Sequence, residues 1–202
     1  MKSSYLRAGL ALLTAVILSA CGGNNGNLGL QGQIVYSGPV KSGLVLINNG
    51  NGEKLTIETG ATYFAFTKLL GSDEGFDVQI ATQPAGADCK ATNNSGKANA
   101  YNIYVTITCT ANPYVLGGTV KGLSGTGLVL ANGSDTVAVL PSATAGADVS
   151  FKFPTQVSNG SLYGGTVLTQ PAGQTCAFDK ALNPGTMPNA NQLALLVNCT
   201  NN

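Results

Sequence analysis

The chain has 202 residues, only 9% of them charged, with no His, no Trp and a formal net charge of +1. A balance this close to neutral offers no basic face for nucleic acid. The absence of histidine removes the commonest general base and any histidine-completed zinc shell.

The first residues read as a targeting segment. Lys2 and Arg7 supply positive charge, and residues 8–20, AGLALLTAVILSA, form an uncharged apolar run. A run this short falls below the roughly 20 apolar residues that a permanent helical span needs, and it has the form of a secretory signal. Leu18-Ser19-Ala20-Cys21 resembles the lipobox of bacterial lipoproteins. The resemblance implies cleavage before Cys21, a diacylglyceryl thioether on its sulfur and acylation of the new amino group. Each buried methylene contributes about 0.8 kcal/mol, so two or three acyl chains make a firm membrane anchor. Gly22 follows the cysteine where an inner-membrane retention signal would place Asp, and the resemblance therefore implies the outer membrane. Residues 1–20 are read as signal peptide, and residues 21–31 as a lipidated cysteine followed by a flexible, Gly/Asn-rich tether. The remaining chain has 182 residues, with eight Lys against nine acids.

Beyond the tether the sequence repeats itself. Gly43-Leu44-Val45-Leu46 recurs as Gly127-Leu128-Val129-Leu130, and Thr82-Gln83-Pro84-Ala85-Gly86 recurs as Thr169-Gln170-Pro171-Ala172-Gly173. Cys89 then matches Cys176, and Cys109 matches Cys199. This order of matches predicts a duplicated unit: repeat 1 at 32–110, a short linker at 111–116 and repeat 2 at 117–202. With Cys21 set aside, four cysteines allow three pairings. The repeat selects Cys89–Cys109 and Cys176–Cys199, one bridge within each unit, in an oxidising compartment.

Within the first unit, period-two alternation marks Ile34/Tyr36, Leu44/Leu46, Leu55/Ile57, Phe64/Phe66, Phe76/Val78/Ile80 and Ile103/Val105/Ile107/Cys109. The second unit answers with Thr119-Val120, Leu128/Leu130, Val137/Val139, Val149/Phe151/Phe153, Tyr163–Leu168 and Leu193–Cys199. Such alternation, interrupted by Asn-Gly and Gly-Ser clusters, predicts short antiparallel strands. Six or seven of them per unit predict an all-β chain of two tandem antiparallel β-sandwich domains. Over residues 31–200 the units resemble the immunoglobulin-like or prealbumin-like repeats of bacterial surface proteins, although no Trp stands ready to pack on the bridge.

No catalytic constellation emerges. Gly122-Leu123-Ser124-Gly125-Thr126 misses the last glycine of G-x-S-x-G, and neither S-x-x-K nor GxxxxGK occurs. Asp73, Glu74 and Asp77 form the one acidic cluster, to be read as a hard-cation site or as a solvated hairpin tip. The second unit has Ser158-Asn159-Gly160-Ser161 there, which favours the solvated tip. Tyr101, Tyr104 and Tyr114 suit either a binding patch or packing near the junction. The expectation is a non-enzymatic envelope lipoprotein with no catalytic residues, metal or cofactor. It would be held to the membrane through Cys21, with contact to an extracellular or envelope protein or glycan through loops at the sandwich ends. A structural spacer or envelope-assembly component is the alternative.

Overall fold

The computed structural model describes residues 26–99, 103–144 and 146–202; the signal segment, Cys21 and Tyr101 lie outside them. The first unit contains β1 (Gln31–Ser37), β2 (Val45–Asn48), β3 (Glu53–Thr56) and β4 (Tyr63–Ala65). It continues with β5 (Gly75–Thr82), β6 (Ala87–Thr92), β7 (Ser95–Lys97) and β8 (Tyr104–Ala111). A two-residue strand, β9 (Pro113–Tyr114), leads into β10 (Leu116–Lys121), β11 (Leu128–Asn132), β12 (Asp135–Val139) and β13 (Val149–Lys152). The remaining strands are β14 (Val157–Ser158), β15 (Leu162–Tyr163), β16 (Gly165–Thr169), β17 (Gln174–Phe178), β18 (Gly185–Thr186) and β19 (Gln192–Asn201). No helix occurs among the described residues.

Sheet order makes the duplication explicit. One sheet runs β4-β1-β8-β6 in the first unit and β13-β10-β19-β17 in the second. The facing layer runs β3-β2-β5-β7 in the first unit, answered by β12-β11-β16 with β15-β18 alongside. Even the irregularities recur: the β2–β5 register shifts between Val45 and Leu46, and the β11–β16 register between Val129 and Leu130. Each unit closes on its own apolar cluster. Leu46, Leu70, Val78, Val105 and Ile107 are fully buried in the first; Leu116, Leu128, Leu130, Leu195 and Val197 fill the second. Phe64 meets Phe66 edge-to-face at 6.0 Å, and Phe151 meets Phe153 the same way at 5.7 Å, an arrangement favoured by the ring quadrupoles.

Both disulfides link directly opposed residues of neighbouring antiparallel strands. Cys89 on β6 faces Cys109 on β8, and Cys176 on β17 faces Cys199 on β19. These are the pairings that the repeat selects.

The expectation of purely antiparallel sheets needs correction. β1 runs parallel to β8 over seven paired positions, from Gln31↔Tyr104 to Ser37↔Thr110, and β10 runs parallel to β19. Period-two alternation reports which face a residue takes, not the direction of its neighbour, so the pattern could not show this. Glycine marks the close approach. A Cβ on Gly32 would strike the carbonyl of Val105, and one on Gly118 would strike that of Leu195.

The parallel pairing also decides how the units follow each other. The chain enters a unit at one end of β1 and leaves at the opposite end of the adjacent β8, so the next unit is placed end-on. The predicted linker at 111–116 is accordingly structured. Ala111 closes β8, β9 pairs with β14 through Tyr114↔Val157 and Pro113↔Ser158, and Leu116 is buried as the first residue of β10. Across the joint the Asn159 amide donates to the Asn112 carbonyl at 2.8 Å, and the Asn112 amide donates to the Gly86 carbonyl at 2.9 Å. The Tyr114 hydroxyl donates to Asn189 Oδ1 at 2.7 Å.

Residues 28–31, expected to be part of the tether, belong to the first unit. Leu28 exchanges two backbone hydrogen bonds with Leu70, at 3.1 and 2.8 Å, and Leu30 is fully buried. Two leucines at period two belong to a strand lead-in, which the surrounding Gly and Asn obscure. Leu28 stands to Leu70 as Tyr114 stands to Val157, so each unit has a lead-in pair before its first long strand.

Candidate functional site

The β4-β1-β8-β6 sheet turns one face inward and leaves the other open. Along β8, Val105, Ile107 and Cys109 are buried in the core, whereas Tyr104, Thr106, Thr108 and Thr110 point outward. At a rise of about 3.3 Å per residue this places three threonines and a tyrosine in a line roughly 20 Å long. β1 contributes Gln31, Gln33 and Val35 to the same face, in register with Tyr104, Thr106 and Thr108. β4 adds Tyr63 opposite Gln33, and β6 adds Asp88 and Lys90 opposite Thr110 and Thr108.

Polar contacts order this surface. The Tyr63 hydroxyl donates to Gln31 Oε1, and Gln33 Nε2 donates to Thr106 Oγ1 at 3.3 Å. Lys90 Nζ lies 3.6 Å from the Asp88 carboxylate, so the two charges on these strands oppose each other. Tyr63 is 51% exposed and Tyr104 45% exposed. Aromatic rings of this size are normally worth burying, and these two, the only aromatics among the exposed large hydrophobic side chains of the described residues, share one face.

The face ends in a shallow cleft where the first unit meets the linker. Asp88 and Lys90 from β6, Thr108, Thr110 and Ala111 from β8, and Asn112 and Pro113 beyond it enclose about 400 Å³. Junctions between folded units are a common place for ligands.

Other sequence candidates fall elsewhere. Tyr114 is half-buried against the second core and bonded to Asn189, and so packs at the junction. The acidic cluster does not converge: Glu74 Oε2 accepts from the Gly71 amide at 2.7 Å, and Asp77 accepts from Asn49 and Gln79 at 2.8 and 2.6 Å. These two bonds hold the Asp77 carboxyl below its ordinary value. Among the described residues, no group of three or more His, Cys, Asp or Glu is placed to hold a metal ion. Cys21 lies outside the described residues. Tyr63 and the two glutamines escaped the sequence reading because they come from separated strands. The Thr106-Ile107-Thr108-Cys109-Thr110 alternation was the signal that could have marked the open face.

No family model matches the chain, and no curated protein matches it. Among solved structures it is similar to the C-terminal fragment of the pilus adhesin SpaC from Lactobacillus rhamnosus GG. That fragment is 12% identical, with 87% of this chain and 98% of the fragment covered and a TM-score of 0.38. The major pilin protein (T-13) from Streptococcus pyogenes is 10% identical, covering 89% of this chain and 98% of that one at a TM-score of 0.33. The likeness to both is loose.

Proposed function

We propose that the chain is a non-enzymatic envelope lipoprotein, anchored through lipid on Cys21 in the outer membrane, whose tandem β-sandwich units serve adhesion. The observation that carries this reading is the half-exposed tyrosine pair on an ordered, nearly charge-balanced sheet face that runs into a cleft at the joint. A rigid strand scaffold holds such contacts in place without a cost of ordering them on binding. Contact through loops at the sandwich ends remains part of the proposal, with the sheet face as its centre.

The alternative of a structural spacer is favoured by one specific feature, the hydrogen-bonded end-on joint formed by Asn112, Tyr114, Asn159 and Asn189. Protease treatment of intact cells, beside a periplasmic protein that must stay protected, separates the two. Digestion from outside supports adhesion. Protection until the envelope is opened rejects adhesion at the cell exterior and supports the spacer, with chemical crosslinking then expected to capture an envelope partner.

A further inference from the structure

The face also has a chemistry that selects among ligands. Its charges are the opposed Asp88 and Lys90, so neither a polyanion nor an acidic or basic peptide finds a complementary field. Along β1 its centre is Gln31, Gln33 and Val35, two amides and a single half-exposed apolar side chain, whereas protein-binding hot spots centre on clustered apolar or aromatic anchors in desolvated pockets. Two tyrosines flank that centre, Tyr63 on β4 and Tyr104 on β8, with β1 between them. Two strand spacings and a two-residue stagger separate them by about 12 Å. From Tyr104 a row of threonine hydroxyls leads toward the cleft. Rings that can stack on apolar C–H faces, alternating with fixed amide and hydroxyl groups, match a chain of neutral pyranose units.

We propose that this face binds an uncharged oligosaccharide, stacked on Tyr63 and Tyr104 and laid along Thr106, Thr108 and Thr110 toward the cleft at the joint. The assignment deepens the adhesion reading and rests on it. Gln31 holds the Tyr63 hydroxyl and so fixes one ring, acting as a positioning residue. The Gln33–Thr106 bond fixes the next row.

The test uses the whole protein purified as cells make it, in a detergent without a sugar head group. Cellohexaose and chitohexaose are the neutral probes, a heparin hexasaccharide the anionic one and denatured collagen the protein one. With no Trp in the chain to mask it, tyrosine emission reports on the rings, the tyrosine variants assign any change to Tyr63 or Tyr104, and calorimetry gives the affinity. At least one neutral hexasaccharide should bind saturably and change tyrosine emission, and heparin should not bind. Tyr63→Ala and Tyr104→Ala should each weaken binding about tenfold or more with an unchanged melting curve, and Leu162→Ala on the second unit should have no effect. Tyr63→Phe, which keeps the ring and loses the bond to Gln31, should weaken it less than Tyr63→Ala.

Failure of both neutral probes to bind, or binding indifferent to both tyrosine variants, would overturn the proposal. Collagen binding lost in the tyrosine variants without saccharide binding would overturn the ligand class and leave adhesion standing. Saccharide binding by a protein shielded on intact cells would leave the ligand class standing and remove adhesion at the exterior.

Discussion

The side chain of Gln83 holds the main chain of Cys89 at both polar atoms: Nε2 donates to the Cys89 carbonyl, and the Cys89 amide donates to Oε1, each at 2.8 Å. Gln170 holds Cys176 in the same way, at 3.0 and 2.8 Å. β6 and β17 are edge strands, and an uncovered edge leaves unpaired backbone groups exposed to other chains. The glutamine amide therefore acts as a one-residue surrogate strand beside each disulfide. The rest of the motif places it there. Gly86 and Gly173 take φ of 81° and 70° in turns closed onto the carbonyls of Pro84 and Pro171, a conformation for which glycine is suited.

Replacing Gln83 with Ala should therefore cost about 1–2 kcal/mol, because two partly buried backbone groups lose their partners. Gln170→Ala should cost a similar amount in the second unit. Denaturant melts of each variant with the disulfides intact are the measurement. A change of only a few tenths would show that water replaces the amide without loss.

Removing a bridge should be costlier. The cysteines are 20 and 23 residues apart in sequence, and loops of that size contribute about 3 kcal/mol in the chain-entropy account. Cys89→Ala with Cys109→Ala should lower stability by that order. The double replacement in the second unit should do likewise, with the effects nearly additive because the bridges lie in separate cores. Nonreducing peptide mapping should recover only the two intra-unit pairs; a peptide joining the units would contradict the fold.

Acid should weaken the first unit through Glu53. Burial pushes its carboxyl up, but the Thr67 hydroxyl and amide, the Lys68 amide and the Lys68 charge together outweigh this and hold it below the ordinary 4.5. The three hydrogen bonds measure 2.7, 2.7 and 3.1 Å. A lowered folded pKa contributes stability that is complete above the unfolded value and lost as pH falls through the folded one. Stability should thus be level at neutral pH and decline below about 4.5. Glu53→Gln should be less stable at neutral pH and show a shallower acid decline in pH-dependent melts. An unchanged acid profile would remove Glu53 from the account.

Gly32→Ala and Gly118→Ala should each destabilise by about 1–3 kcal/mol, as overpacking does, since the added methyl meets a carbonyl of the parallel neighbour. Gly52→Ala is a useful contrast. Its Cβ would meet nothing within 4 Å, so any penalty there comes from its φ of 73° alone. Thermal melts should show the Gly32 loss as a loss of packing in the first unit.

The anchor is tested separately. Cys21→Ser should abolish incorporation of labelled palmitate and leave the precursor uncleaved or released from the membrane fraction. Membrane association unchanged in that variant would exclude lipid on Cys21 as the anchor.

Much of this architecture was legible because the two copies annotate each other. Ile34, Leu46, Phe64, Val78 and Ile107 all reach the core as their alternation predicts, and the matched cysteines identify the bridges. Strands without large or β-branched apolar residues were not legible. β6 reads Ala-Asp-Cys-Lys-Ala-Thr, an alternation carried only by small Ala and Cys, and β7 reads Ser-Gly-Lys; neighbours rather than propensity make them strands. The parallel partnership of β1 with β8 was hidden because contacts across some 70 residues leave no local trace. The same distance hid the tyrosine pair: Tyr63 and Tyr104 become one surface only when β1 is laid between β4 and β8.

That parallel partnership also governs how the chain would carry a load. A pull between Leu28 and Asn112 draws β1 and β8 in opposite directions along their shared length, so the ladder from Gln31↔Tyr104 to Ser37↔Thr110 is sheared as a block instead of being unzipped rung by rung. β10 and β19 repeat the arrangement. Should a unit yield, Cys89–Cys109 keeps the segment between the cysteines from paying out. A chain of this design, held at its two ends, should lengthen in two limited steps, each unit serving as a clamp with its own stop.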